Sequence, residues 1–326
     1  MSRPRALALL VCALACRRPA PPDGPLRIGY FPNVTHAQAL VGDADGSFAA
    51  ALPGKGITSR VFRAGPAAME ALLAGELDLC YVGNAPASLA YLRSAGGLRV
   101  ISGAVSGGAS LVAREARGPG DLAGRRVASP QLGNSQDVAL RWWLRQQGMA
   151  VGERPPAVNV IPIPNPEILA LFQQRELAGA WVPEPWAARL VSQGGGRILV
   201  DERDLWPGGT FPSTVLVASD RALRLRRADL VAAVRVHLRL TERWRESPAA
   251  FSRSANEAFG KLTGHRLGER LLQAAFSRLD PTIDPMPAKL VAAGERAAAL
   301  GLAPRGDLSG LVDSTLLAEA LGGAAR

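Results

Sequence analysis

Beyond residue 25 the chain alternates short apolar runs with longer segments whose apolar positions recur at helical spacing. Residues 26–30, 58–63, 78–82 and 98–104 read as strands, and residues 37–51, 67–74 and 86–95 as the helices between them, the last with proline in its first turn. Gly103, Gly107 and Gly108 then precede an apolar segment, 110–113, that reads as a crossing strand rather than another unit of the same sheet. A second series follows, with strands at 125–129, 158–163, 179–182 and 197–200 and helices at 135–147, 165–174 and 185–193. Residues 213–218 form a second apolar crossing segment. From 219 onward the pattern is almost wholly helical, with apolar positions such as Leu230, Val234, Trp244, Leu271 and Leu279.

Alternating strand and helix units imply parallel sheets covered on both faces. The predicted fold class is therefore α/β, with two Rossmann-like lobes joined by two crossing strands and a helical C-terminal cap on the first lobe. The expected boundaries are 25–109 with 214–326 for the discontinuous first lobe and 110–213 for the second. The ligand site of such an architecture is the cleft between lobes, beyond the carboxyl ends of the strands.

The first residues change the compartment. Arg3 and Arg5 precede an apolar stretch of about ten residues, too short to span a bilayer of roughly 30 Å, and Ala15 stands directly before Cys16. Residues 1–15 are expected to be a signal peptide. The segment Ala13-Leu14-Ala15-Cys16 resembles a bacterial lipobox, with Ala in place of the more usual leucine at its first position; lipidation at Cys16 and a proline-rich tether over 16–24 are the expectation, an ordinary signal peptide the alternative. The location implied is the periplasm or the outer face of the cytoplasmic membrane, anchored through lipid only.

Composition narrows the partners. The 326 residues are 48% hydrophobic and carry a net charge of +10, but the arginines are dispersed over helical surfaces, so nucleic acid is not an expected partner. Once the signal is removed no disulfide is expected, and Cys80 reads as a core thiol. His36, His237 and His265 are scattered and no metal-ligand spacing occurs, so neither metal nor cofactor is expected.

Four polar and glycine-rich clusters fall where a strand run gives way to a helix run: 29–35, Gly65-Pro66, 83–86 and 130–135. A helix start presents unpaired N–H groups and the positive end of its dipole, so several converging starts make an anion site. Asn33, Asn84, Gln131, Asn134 and Gln136 supply amides, Thr35 and Ser135 hydroxyls, and Gly65, Gly83 and Gly133 allow close backbone approach. Such a site need not contain Arg or Lys. Tyr30 and Phe31 are either core or an aromatic wall, and His36 either donates to an oxyanion or faces solvent. Trp181 and Glu184 end a strand beside the cleft; Glu184 either caps its helix or meets the ammonium of a zwitterion, and Phe211 lies in a loop that could line the rim.

The segments 27–37, 65–72, 78–86, 129–139 and 180–186 together resemble the substrate-binding proteins of sulfonate, nitrate and taurine ABC importers. The resemblance implies a type II periplasmic-binding-protein fold, a monomer that delivers a small anion to an ABC permease, and no chemistry on the ligand. Enzymes of thiamine-pyrimidine synthesis and desulfinases resemble the same proteins, and a ligand-sensing lipoprotein would use the same lobes; these are the alternatives.

Overall fold

The computed structural model describes residues 23–322. The expected signal peptide, Cys16 and all but the last two tether residues lie outside the described residues. The first sheet contains β1 (Leu26–Tyr30), β2 (Ile57–Val61), β3 (Leu79–Val82), β4 (Leu98–Gly107), β10 (Pro212–Ser219) and β11 (Leu279–Pro281), in the order β11-β4-β10-β3-β1-β2. The second contains β5 (Ala109–Ala113), β6 (Arg126–Ser129), β7 (Asn159–Pro162), β8 (Gly179–Pro183) and β9 (Arg197–Asp201), in the order β7-β6-β8-β5-β9.

The central strands are predominantly apolar because both of their faces are covered. On β3, Leu79 and Tyr81 enter one core while Cys80 and Val82 enter another, and on β10 Leu216 and Ala218 alternate with Val215 and Val217 in the same way. The first of these cores is closed by α1 (Ala37–Ala44), α9 (Arg227–Glu246) and α10 (Pro248–Thr263), through Leu40, Leu230, Val234 and Phe251. The second is closed by α3 (Gly65–Leu73) and α4 (Asn84–Arg93), with Met69, Leu72 and Ala87. In the second sheet Leu111 and Trp181 face one core and Val112, Ala180 and Val182 the other, covered by α5 (Ser135–Gln146) on one side and α6 (Asn165–Gln173) and α7 (Trp186–Ser192) on the opposite side.

The structure departs from the sequence expectation in five places. The helix expected over 37–51 stops at Asp45 because Gly46 is left-handed, and a short helix α2 (Ser47–Ala50) restarts with Asp45 Oδ1 accepting from Ser47 N. The sheets are mixed, not parallel: β10 runs antiparallel to β3 and β4, and β5 antiparallel to β8 and β9. Strands β5 and β10 are the crossing segments, which enter each sheet from the far lobe. The C-terminal part includes β11, paired antiparallel with β4, although Leu279 reads as helical by spacing. Pro212 and Ser213, assigned to the second lobe, already belong to β10. Finally, the C-terminal helices α8 (Asp220–Leu225) and α9 to α13 do not all cap the first lobe. Among them α11 (Glu269–Phe276) lies against α7, and α12 (Pro287–Ala299) lies against both α4 and α5, while α13 (Thr315–Ala320) packs on α9. Arg296 of α12 sits 3.8 Å from the ring centroid of Trp206, and its neighbour Ala293 enters the second lobe's core. The apolar stripe of α12 therefore has partners in both lobes.

The first crossing is the Gly107-Gly108 step between β4 and β5. Both residues have positive φ, 79° and 77°. A Cβ at Gly108 would also overlap the Leu279 side chain, and one at Gly107 the Arg278 carbonyl. Gly108→Ala is expected to lower the unfolding free energy by about 1–3 kcal/mol through backbone strain and overlap. Gly118, with extended backbone and open space around it, is the control: Gly118→Ala should stay within about 0.5 kcal/mol in the same urea titration.

Candidate functional site

All four junction clusters contribute to one cavity of about 40 Å³ between the sheets. The first lobe lends Phe31, Asn33, Thr35 and His36 from the loop after β1, Gly65 from the start of α3, and Gly83 from the start of α4. The second lobe lends Asn134, Ser135 and Gln136 from the start of α5. At on the order of 10–15 Å³ per water measured this way, the space equals about three waters, the scale of a small head group.

The lobes touch across this space. Trp186 Nε1 of the second lobe donates to Asn33 Oδ1 of the first at 3.2 Å, and Ala85 N at the start of α4 donates to Ser135 Oγ at 3.4 Å. A Cβ at Gly83 would overlap Ser135 Oγ, so the glycine lets that hydroxyl approach the α4 start.

At the α5 start the capping falls to Asn134, whose Oδ1 accepts from Asp137 N at 2.8 Å, and not to Ser135, whose hydroxyl is left for the cleft. Asp137 occupies part of the helix start itself: its Oδ2 accepts from Gly133 N at 3.0 Å and its Oδ1 from Ser129 Oγ at 2.8 Å. The Gly133 N–H is thereby spent, which corrects its expected role as an oxyanion donor. The N–H groups of Ser135 and Gln136 remain among those a helix start leaves without an intrahelical acceptor.

His36 is neither exposed nor paired. It is 3% exposed, lies 4.5 Å from Phe31 between ring centroids, and its Nδ1 is buried without a hydrogen-bond partner. Burial lowers its pKa to about 3, so the ring is neutral at any physiological pH. A sealed N–H costs more than a sealed lone pair, which places the proton on Nε2.

Other expected site residues lie elsewhere. Tyr30 is core, its hydroxyl donating to Asp43, and Trp181 points into the second lobe's core, edge-on to Trp143, with Nε1 donating to Glu202 at 2.9 Å. The strand's alternation turns Trp181 away from the cleft. Phe211 stacks on Trp206 with centroids 6.0 Å apart, inside the same core. Asn84 accepts from Ala85 N within its own turn, Pro66 and Gly133 line a separate surface groove beside Leu132, and Gln131 stays in its turn, its carbonyl accepting from Asn134 N.

Glu184 takes the capping role. Its Oε2 accepts from Ala188 N at 3.1 Å and its Oε1 from Arg278 at 2.9 Å, tying β8 of the second lobe to the segment before β11 of the first. The side chain is fully buried, and desolvation outweighs Arg278 in raising its pKa to about 7.

Sequence reasoning placed Pro86 and Pro130 in the junction clusters without assigning them to the site, and it missed the lining residues Arg63, Ala64, Gly108, Asn165, Pro183 and Ser213. Arg63 and Asn165 matter most, as the lining cation and as an amide from α6. Both stand at strand-to-helix junctions, after β2 and β7, so the rule that found the four clusters reaches them when applied without requiring glycine. Among the described residues, no Asp or Glu lines the cavity.

A closed cleft between two mixed α/β sheets, entered by helix starts from both, defines the two-lobed fold of periplasmic binding proteins. The chain belongs to the NMT1-like family, whose model matches residues 19–258. It is 28% identical over 165 residues to a putative binding protein of Brucella abortus, covering 50% of this chain and 49% of that one. It is 25% identical over 176 residues to the taurine-binding periplasmic protein of Escherichia coli, covering 52% of each. The chain thus spans about half the length of the curated relatives it matches. In fold it is similar to the alkanesulfonate-binding protein of Xanthomonas axonopodis pv. citri bound to MOPS, with a TM-score of 0.65 at 21% identity, covering 92% of this chain and 99% of that one.

Glu184 and Glu202 set a pH dependence of stability. Burial raises both to about 7 from 4.5. Between these values the unfolded chain releases protons that the folded chain keeps, so stability is fully present below pH 4.5 and falls as pH rises toward 7, by on the order of 3 kcal/mol per group. Urea unfolding at pH 4.5 to 8 should show this fall, and Glu184→Gln should remove about half of it; an unchanged slope in that variant would contradict the assignment.

Proposed function

We propose that this chain is the extracytoplasmic solute-binding component of an ABC importer, which traps a small oxyanion between its lobes and hands it to a membrane permease. The observation that carries this reading is the lining: helix starts from both lobes, hydroxyl and amide donors, one arginine and no carboxylate, enclosing about 40 Å³. Such donors are worth most where water is excluded. The relatives named as binding proteins support the same reading.

Binding without chemistry fits the residues. Cys80 is buried in the first sheet, its pKa pushed well up by burial, and it lies outside the cavity lining. His36, the lining histidine, has no acid partner to orient it as a base. No helix among the described residues is long and apolar enough to cross a membrane. Attachment through a lipidated Cys16, in the periplasm or on the outer face of the cytoplasmic membrane, and action as a monomer complete the proposal.

A thermal-shift screen of nitrate, methanesulfonate and longer alkanesulfonates tests it: an anion at 100 times its Kd should add about 2.7 kcal/mol of stability. For the anion that binds, Ser135→Ala and Arg63→Gln should each weaken affinity by about 1–3 kcal/mol in calorimetry, as expected for donors lost from a desolvated anion. Unchanged affinity in both variants would remove the cavity as the site.

A further inference from the structure

We propose that this cleft selects oxyanions that carry no ammonium group, so that aminosulfonates such as taurine are refused where plain sulfonates of the same length are accepted. The inference rests on the oxyanion reading above and narrows it. A zwitterion buried between the lobes needs a partner for each of its charges, because an ammonium taken out of water without a counter-charge loses far more than it regains from neutral acceptors.

The lining offers the negative end a partner and the positive end none. Arg63 is the charged lining residue; it is exposed, and among the described residues it forms no ion pair. Its field opposes a second cation in the same small space. His36 is held neutral and supplies no charge of either sign. Two acids directly follow lining residues: Asp137, after Gln136, is fully buried with its oxygens held by Gly133 N, Ser129 Oγ and Arg141, and the other is Glu184, after Pro183. Both of its oxygens are committed, one to Arg278 and one to Ala188 N, and none of its surface is exposed. Freeing it for an ammonium would uncap α7 and strand the Arg278 guanidinium.

Size does not explain the selection. Taurine and 1-propanesulfonate have the same number of heavy atoms and differ in an ammonium against a methyl, so comparing them isolates the charge. Calorimetry on the purified protein with nitrate, methanesulfonate, 1-propanesulfonate and taurine is the test. The expected result is 1-propanesulfonate binding at least tenfold more tightly than taurine. Equal affinity for that pair, including refusal of both while methanesulfonate binds, overturns selection by charge, as does tighter binding of taurine. If none of the four compounds binds, the oxyanion reading itself falls, and this inference with it. The reverse experiment places a carboxylate on the lining: Asn165→Asp, or Gln136→Glu if the first fails to fold by circular dichroism, should shift the taurine to 1-propanesulfonate affinity ratio tenfold or more toward taurine. A ratio that stays where it was in the folded variant overturns the missing carboxylate as the cause.

Discussion

The constraint on which the molecule depends is that a helix start leaves N–H groups without partners. Two sheets place their strand ends face to face, and the helices that follow β1, β2, β3, β6, β7 and β8 begin at the same gap. Something electron-rich must satisfy the donors gathered there. At α5 a side chain of the protein meets part of that demand: Asp137, fully buried, accepts from Gly133 N and Ser129 Oγ and is held by Arg141. At α7 Glu184 does the same for Ala188 N. These carboxylates decide which donors stay open. Those that remain, at Ser135, Gln136 and the starts of α3 and α4, border the cavity.

The same economy of charge runs through the fold. Asp78, 2% exposed, receives Arg27 at 2.6 Å and Arg226 at 3.0 Å, and Arg226 also meets Asp229, which takes Lys55 at 2.9 Å. This network lies at the opposite ends of β1 and β3 from the cleft, where it joins the first strand to α9. Buried acids are thus paired with arginines in structural roles, and Arg63 is left at the cavity without such a partner. A buried pair of this kind fixes geometry more than it adds stability, and here it fixes where the first lobe's strand ends point.

Periodicity made most of the fold legible, because strands buried on both faces are uninterrupted apolar runs and the surface helices keep a 3.6-residue spacing. Strand direction was not legible. Residues 110–113 and 213–218 read as apolar strands, but nothing in their composition says that they enter their sheets antiparallel; that follows from where the preceding lobe delivers them. The C-terminal helices were legible as helices, yet the contact of α12 with the second lobe depends on Trp206 and Trp142, which are distant in sequence from Arg296. In the site, junction position found the correct loops, and it failed for side chains whose direction is set by alternation or by capping: Trp181 turns to the core because Val182 faces the opposite way, and Glu184 is drawn to the helix it precedes. Arg63 was missed because it carries no turn signal; its place after β2 was the available clue.

Closure of the cleft also has a cost in hydrogen bonds that bears on any ligand. Ser135 Oγ accepts from Ala85 N, and Asn33 Oδ1 from Trp186 Nε1, when the lobes are together. A ligand favours closure only by the difference between its contacts in the closed and open forms. An anion that takes the Ala85 N–H for itself displaces that group's bonds to Ser135 Oγ and Asn84 Oδ1, and its gain must come from donors that only the closed form brings together, chiefly the α5 start. Affinity then measures how well the two lobes' donors fit one head group, beside the Trp186–Asn33 and Glu184–Arg278 contacts that also join the lobes.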